Sequence, residues 1–459
     1  MHTISPSRVR QGEAQVVTFG NVYESDTLEP YAYDSLGELL TADERHLSQK
    51  AAYWLTPYGF PLVTVCSTAL DAPARLLPTR AFVCPARATS SVCLDFLRDP
   101  EAQAALLARL DARVPVHLAG YSVSRPLQAV ARWFVERGFA LAGWSDATVE
   151  LAARYGSKAA AHEELFAASP ALAALRPACW VIRDPGQVCD TILRASQETG
   201  TQGWVLKSAR SSGGEGVFFL QADQAQPGMS VEALLQGQLR GYSKLNGPFV
   251  LEARVPHVAS PTADIFIKDD GEVLWCGVAA QRLLEGRYYY GFYKPSLARL
   301  AQTPWLGALR AASLEVGRVA GAQGYAGFLN LDFVVDAQAH LALIEVNPRR
   351  SALQDALSFA QFVAGEVGLD GLEVASAEYV PARLARAEEG LREGEAGLVA
   401  PLLRGGFDSA HRWLGLVSVS QGDGEEALAQ AVERASGLPY EQQGAVIGAA
   451  QRWPGLLAG

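Results

Sequence analysis

Residues 329–350, LNLDFVVDAQAHLALIEVNPRR, constrain this chain more than any other stretch. Two apolar runs, LNLDFVV and LALIEV, flank the turn-forming DAQA, which predicts an antiparallel hairpin. In such a hairpin Asp332 of the first run comes near Glu345 of the second, across the ladder. Asn347 stands two residues beyond Glu345, so its side chain leaves the strand on the same face. Close carboxylates repel, and without a cation one of them would have to be protonated. Two carboxylates and an amide oxygen are hard ligands that suit one or two Mg2+ ions, with phosphate oxygens completing the shell. Arg349 and Arg350 follow at once, placed to neutralise or orient a transferring phosphoryl group. A surface hairpin with Asp–Arg or Glu–Arg ion pairs is the plainer alternative. It gives no reason for E-x-N at the end of an apolar run.

A second polar stretch lies upstream. WVLKSARSSGGEGVFFL (204–220) reads as strand, glycine loop, strand. A P-loop needs G-K-[ST] followed by a helix, and here Lys207 precedes the loop while VFFL after it is strand-like. A Rossmann fingerprint also requires a following helix. What is left is a hairpin tip whose glycines let backbone N–H groups approach phosphates, or an ordinary exposed turn. Lys207 on the leading strand would supply a cation to the phosphates. Lys158, in YGSKAAAHEELF (155–166), sits at a turn-to-helix junction, where a solvated lysine is equally at home. In FVLEARV (249–255), Glu252 interrupts an apolar strand; such a strand can offer backbone groups to an adenine edge or simply have one wet side.

The rest of the chain supplies context. QVVTFG (15–20), PLVTVCS (61–67), RAFVCP (80–85) and VPVHLAG (114–120) are short β-branched runs. They alternate with helical stretches such as EAQAALLARLDA (101–112) and RPLQAVARWFVERG (125–138). In the latter Ser124 is the candidate N-cap, Pro126 lies in the first turn and Gly138 is the stop. That alternation predicts a parallel α/β domain. The middle, from residue 140 to 380, is richer in strand pairs, and ARAEEGLREGEAG (385–397) reads as a linker before a small C-terminal piece with a helix at 425–437. A chain of 459 residues, 49% hydrophobic, is long enough for about two to four filled cores.

Net charge is −10 with no basic block, which excludes nucleic acid and anionic membrane as main partners. Six scattered cysteines without a C-x-x-C pair predict free thiols in a reducing compartment. MHTISPSRVRQGEAQ lacks the apolar core of a signal peptide, and no run reaches the ~20 apolar residues of a membrane span, so a cytoplasmic protein is expected. A homodimer through the N-terminal or C-terminal region is compatible with the sequence.

Taken in order, Lys158, VLKSARSSGGEGV, FVLEARV and NLDF…LIEVNPRR resemble the ATP-grasp superfamily, a match covering residues 140 to 365. A looser resemblance, spanning most of the chain, is to peptide ligases of the pheganomycin-synthesis type. It rests on YGSKAAAHEELF, SPTADIFIKDDGEV (260–273), AAQRLLEGRYYYGFYKP (279–295) and the C-terminal extension. The resemblance implies an α/β protein, α+β in its catalytic part. A Rossmann-like pre-ATP-grasp domain (1–139) would precede an ATP-grasp domain (140–385, lid about 180–255), with a linker and small C-terminal domain at 386–459.

It further implies that Lys158 and Lys207 contact the nucleotide, and that Ser211, Ser212, Gly213, Gly214 and Gly216 form the loop closing over its phosphates. Glu252, Ala253 and Val255 would frame adenine, and Asp332, Glu345 and Asn347 would bind Mg2+, replaceable by Mn2+. Arg349, with Arg282 as the other candidate, would steady an acyl phosphate. The implied activity is ATP-dependent carbon–nitrogen ligation, releasing ADP and phosphate, between a carboxylate and an amine that are amino acids or peptides of specialised metabolism. Other ATP-grasp chemistries, such as a carboxylase or nucleotide-precursor ligase, remain open, as does a non-catalytic ATP-binding regulator. The chain departs from the family pattern at Asn330, where many relatives carry arginine. The ribose-binding acid is also unassigned, with Asp264 a candidate. GRYYYGFYKP (286–295) reads either as an aromatic substrate wall or as strand packing.

Overall fold

The four β-branched runs of the N-terminal third become β1 (Gln15–Phe19), β2 (Val63–Val65), β3 (Ala81–Val83) and β4 (Val116–Gly120). They pair in parallel in the order β3-β2-β1-β4, with Val17 facing Val63 on one side and Leu118 on the other. The structure, a computed structural model, describes residues 13–24, 48–69, 78–87, 91–211, 216–238, 247–284, 288–364, 371–379, 392–394, 397–406 and 412–420, and single positions at 89, 286, 426, 428–430, 432 and 433. The helix Arg125–Glu136 starts where its sequence predicts: the Ser124 hydroxyl accepts from the Leu127 N–H. Its Leu127, Val130, Ala131 and Phe134 recur at helical spacing and pack into one core with Phe19 and Phe96.

A second sheet is built from β5 (Cys179–Ile182), β6 (Gly203–Ser208), β7 (Val217–Gln221) and β8 (Phe249–Ala253), antiparallel in the order β5-β8-β6-β7. The helix Val188–Thr199 covers it with Val188, Ile192 and Ala195 against Trp204, Leu206 and Leu251. This helix ends on Gly200, whose φ of 72° lies in the left-handed region that glycine adopts without strain.

The third sheet has nine antiparallel strands: β9 (Pro261–Ile267), β10 (Val273–Leu284), β11 (Tyr288–Lys294), β12 (Gly327–Val335), β13 (Leu341–Asn347), β14 (Glu373–Tyr379), β15 (Arg392–Gly394), β16 (Gly397–Gly406) and β17 (Arg412–Ser420). Their order is β13-β12-β9-β10-β11-β14-β17-β16-β15. Alternation along β9 divides its two faces. Ile265 and Ile267 meet the helix Leu306–Ala322, whereas Phe266 meets Leu55 and Phe328. The helix Ala352–Ala364 packs Leu353, Leu357 and Phe359 with Tyr53, Phe292, Val374 and Val419.

The C-terminal segment differs from the expectation. Residues 392–394, inside the stretch read as a linker, form β15, and β15–β17 extend the large sheet. Charged, glycine-punctuated sequence suits a short edge strand as well as a linker, because an edge keeps one side in water. The helix expected at 425–437 falls largely outside the described residues. The described cysteines are all free. Among the described residues, no helix is long and apolar enough to cross a membrane.

Candidate functional site

The hairpin β12–β13 places Asp332 directly opposite Glu345 and Asn330 opposite Asn347. The register slips just beyond this pair, where Phe333 faces Leu343, leaving Ile344 as an extra residue. Its carbonyl, released from the ladder, accepts a hydrogen bond from Lys207 Nζ at 2.9 Å. The bulge therefore ties the carboxylate pair to the second sheet.

Donors surround the two carboxylates. Asp332 accepts from Asn347 Nδ2 at 3.1 Å and from Gln281 Nε2 on β10. Glu345 pairs with Lys158 Nζ at 3.2 Å. Lys158 opens its helix next to the N-cap Ser157, and its ammonium also donates to the Ser211 carbonyl at 2.7 Å. Burial, and then the charge of Glu345, push the Asp332 carboxyl up to about 6. The pair thus holds negative charge that a divalent cation would relieve, and the atoms it could offer as ligands, the carboxylate oxygens and Asn347 Oδ1, which here accepts from Arg349, are all oxygen. This set fits Mg2+ or Mn2+. Among the described residues no cluster of three His, Cys, Asp or Glu groups offers a competing metal site.

Arg349 lies alongside. Its Nη1 donates to the Tyr121 hydroxyl at 2.7 Å and its Nη2 to Asn347 Oδ1 at 3.3 Å. Tyr121 follows β4, so the N-terminal sheet holds the guanidinium that the hairpin delivers.

Glu252, expected with Ala253 and Val255 to frame adenine, turns its side chain inward. It is 2% exposed, its Oε2 is 2.6 Å from Lys207 Nζ and its Oε1 is 3.0 Å from His162 Nε2. Burial works against its ionisation, but the Lys207 charge and the His162 hydrogen bond outweigh burial and hold its carboxyl below the usual range. Its side chain positions Lys207. The backbone beyond it, Ala253 to Val255, is half-buried or exposed at the end of β8. Asp264, the ribose candidate, is 1% exposed and accepts from Ser351 Oγ at 2.6 Å and Asn330 Nδ2 at 3.1 Å. It lies beneath the site, out of reach of a sugar. Asn330, in the position of the missing arginine, donates to this buried acid and to Thr262 Oγ1 at 2.7 Å.

Of the glycine loop, Ser211 is buried against Lys158 and Gly216 has φ of 68°. A Cβ on Gly216 would come within 3.0 Å of Ser208 Oγ, so both backbone angle and space call for glycine. Ser212, Gly213 and Gly214 lie outside the described residues. Arg282 follows Gln281 in β10, and because Gln281 faces Asp332, strand alternation turns Arg282 toward the opposite face. The sequence reading missed Gln281, Tyr121 and the pairing role of His162. A glutamine ending the apolar run of β10, and a histidine one turn after Lys158, were the available signals. Tyr121 had none, being 228 residues from Arg349.

No family model matches the sequence, and no curated protein matches it. Solved structures do. N5-carboxyaminoimidazole synthetase from Staphylococcus aureus aligns at a TM-score of 0.53 and 11% identity, over 94% of this chain and 100% of that one. Carboxyaminoimidazole ribonucleotide synthase from Aspergillus clavatus, complexed with ATP, gives 0.50 and 13% identity over 93% and 99%. Biotin carboxylase from Campylobacter jejuni, as its beta-gamma-ATP complex, gives 0.50 and 13% over 78% and 81%. These likenesses are likenesses of fold.

Proposed function

We propose that this chain, whose fold is that of the ATP-grasp enzymes, is a carbon–nitrogen ligase joining a carboxylate to an amine with ATP and Mg2+. The register of β12 against β13 carries the reading: it sets Asp332 beside Glu345, with Asn347 adjacent and Lys158, Lys207 and Arg349 around them. Phosphoryl transfer asks a protein for position and charge more than for covalent participation, and these residues offer both.

Phosphates of ATP would draw Lys158 from Glu345 and share Lys207 with Glu252, beside Ser211. Ala253 and Val255 would border adenine with backbone groups. Asp332, Glu345 and Asn347 would hold Mg2+, which supplies charge neutralisation at the phosphates when bound. A carboxylate oxygen of the first substrate attacks the γ-phosphorus and ADP leaves, giving an acyl phosphate. The amine nitrogen then attacks the acyl carbon, phosphate leaves and the surplus proton passes to water. Arg349, aligned by Tyr121, steadies the negative charge that accumulates in both steps. Amino acids or peptides are the proposed substrates.

Carboxylation is the second reading, favoured by the names of the fold neighbours. A library of amino acids and peptides, screened for phosphate release with mass spectrometry of the products, separates the two. Amine-dependent release with an amide product supports the ligase; release stimulated by bicarbonate alone supports carboxylation. Glu345→Ala should abolish release while leaving the fold intact, and unchanged turnover in that variant would remove the metal assignment.

A further inference from the structure

The C-terminal ends of β2 and β3 bring two cysteines together, apart from the Asp332–Glu345 pair. Val65 faces Val83 in the parallel register, and the next pair along the strands is Cys66 and Cys84. The Cys66 N–H donates to the Val83 carbonyl at 3.2 Å, the bond a parallel ladder makes at that pair. Its companion would need an N–H at residue 85, and Pro85 has none, so the ladder stops there. Register partners turn their side chains to the same face, and the two thiols share a hydrogen bond. Both cysteines are free.

Their surroundings differ. Cys66 is 0% exposed, with its Sγ donating to the Thr68 carbonyl at 3.2 Å, whereas Cys84 is exposed. The hydrogen bond from Cys66 holds the Cys84 thiol below its ordinary value; burial opposes it and a backbone hydrogen bond from Ala69 assists it. The same bond to Cys84, and then burial, push the Cys66 thiol well up. Cys84 is thus the sulfur that ionises first and the one that solvent reaches. The other cysteines lack that combination: Cys93, Cys189 and Cys276 are buried, and burial pushes the half-buried Cys179 up.

The spacing permits a bond. Neighbouring strands lie about 4.8 Å apart, inside the roughly 4.4–6.8 Å that separates the Cα atoms of disulfide-linked residues. The Cβ atoms of such residues stand about 3.8 Å apart, so the strand ends must approach by ~1 Å. A ladder end released at Pro85 gives that movement more readily than a strand centre.

We propose that Cys66 and Cys84 form a reversible disulfide by exchange with a low-molecular-weight disulfide. The Cys84 thiolate attacks one sulfur of the oxidant, releasing a small thiolate and leaving a mixed disulfide on Cys84. The small thiolate takes the Cys66 proton, and Cys66 then attacks the Cys84 sulfur. The second small thiolate leaves and regains the proton that Cys84 had given to water. Two protein thiols are oxidised to one disulfide, and one small disulfide is reduced to two small thiols. Once Cys84 carries the mixed disulfide, no thiolate there holds the Cys66 proton, so the first cause of the high Cys66 value is gone. Closure costs Cys66 its donation to the Thr68 carbonyl. The inference goes beyond the ligase reading and does not depend on it.

Peptide mapping of the folded full chain reads the site directly. Reduced protein is mixed with oxidised glutathione below its melting transition, quenched in acid at intervals, denatured and alkylated. A cross-linked peptide pair containing Cys66 and Cys84, lighter by two hydrogens than its reduced parts, should form roughly tenfold faster than any adduct at Cys179, Cys189 or Cys276. Dithiothreitol should restore both thiols. Cys66→Ser should stop the reaction at a glutathione adduct on Cys84, and Cys84→Ser should leave Cys66 alkylated as fully as in protein never oxidised. Should either variant fail to fold, the wild-type map decides alone. A lasting adduct on wild-type Cys84 with Cys66 still alkylated, or dimers linked through Cys84, overturns the proposal. So does oxidation of Cys189 and Cys276 at the rate of the pair, which would mean that the chain reacts by opening as a whole. No nucleotide or turnover enters the measurement, so its failure leaves the ligase reading intact.

Discussion

Arg349 is held at both ends of its guanidinium, by the Tyr121 hydroxyl and by Asn347 Oδ1, so it would meet an anion without reorganising. Arg349→Ala should therefore cost about 2–4 kcal/mol of transition-state stabilisation, read as a fall in kcat of roughly 30- to 1000-fold with little change in KM for ATP. A fall confined to KM would make Arg349 a binding group only. Asp264 gives a second prediction. Burial raises its carboxyl to about 7, well above its unfolded value. The folded state then holds a proton that the unfolded chain has lost, so this group's stabilisation is complete below pH 4 and disappears as pH rises toward 7. The slope is up to ~1.4 kcal/mol per pH unit. Asp264→Asn should gain stability relative to wild type as pH rises from 5 to 7.5; parallel Tm curves would refute this. At this scale the sequence was informative where strand period and turn chemistry act locally, as for Asp332, Glu345 and Asn347. It was silent on the side chain of Glu252, because an acid interrupting a strand does not say whether it faces solvent or a buried lysine.

Elements were legible to the extent that their own residues set them. Ser124 caps its helix through a hydrogen bond three residues away, and DAQA closes its hairpin, both within reach of a local reading. Neighbour relations were not: β12 lies between β13 and β9, and nothing in LNLDF names ADIFI as its partner. The bulge at Ile344 was equally hidden, since a one-residue slip leaves the apolar pattern almost unchanged. The helix Leu306–Ala322 shows how close such long-range contacts run. A Cβ on Gly317 would stand 2.5 Å from Val273 Cγ1 and 2.9 Å from Ile265 Cδ1, so glycine lets the helix settle onto β9 and β10. Gly317→Val should destabilise the protein by about 1–3 kcal/mol through overpacking. Urea unfolding checks this, with a midpoint at or above that of wild type as the contrary result.

Across the whole molecule, the site depends on segments far apart in sequence. Tyr121 comes from the N-terminal sheet, Lys207 from the four-stranded sheet, and the carboxylates from the nine-stranded one. The order of these parts was visible along the chain. The continuation of the large sheet through β14 to β17 was not, because charged edge strands and linkers share a composition. That continuation has a consequence for stability. β14 pairs with β11, and Val374 and Val419 close a core made by Phe292, Leu353, Leu357 and Phe359. A chain ending at Ala364 keeps every candidate site residue yet opens the β11 edge and uncovers that core. Open apolar edges recruit other chains. The truncated chain should therefore elute as aggregates in size-exclusion chromatography and lose a single cooperative thermal transition. A monomer that melts at the wild-type temperature would instead mean that the large sheet is complete at β11 and that the C-terminal strands are an addition to it.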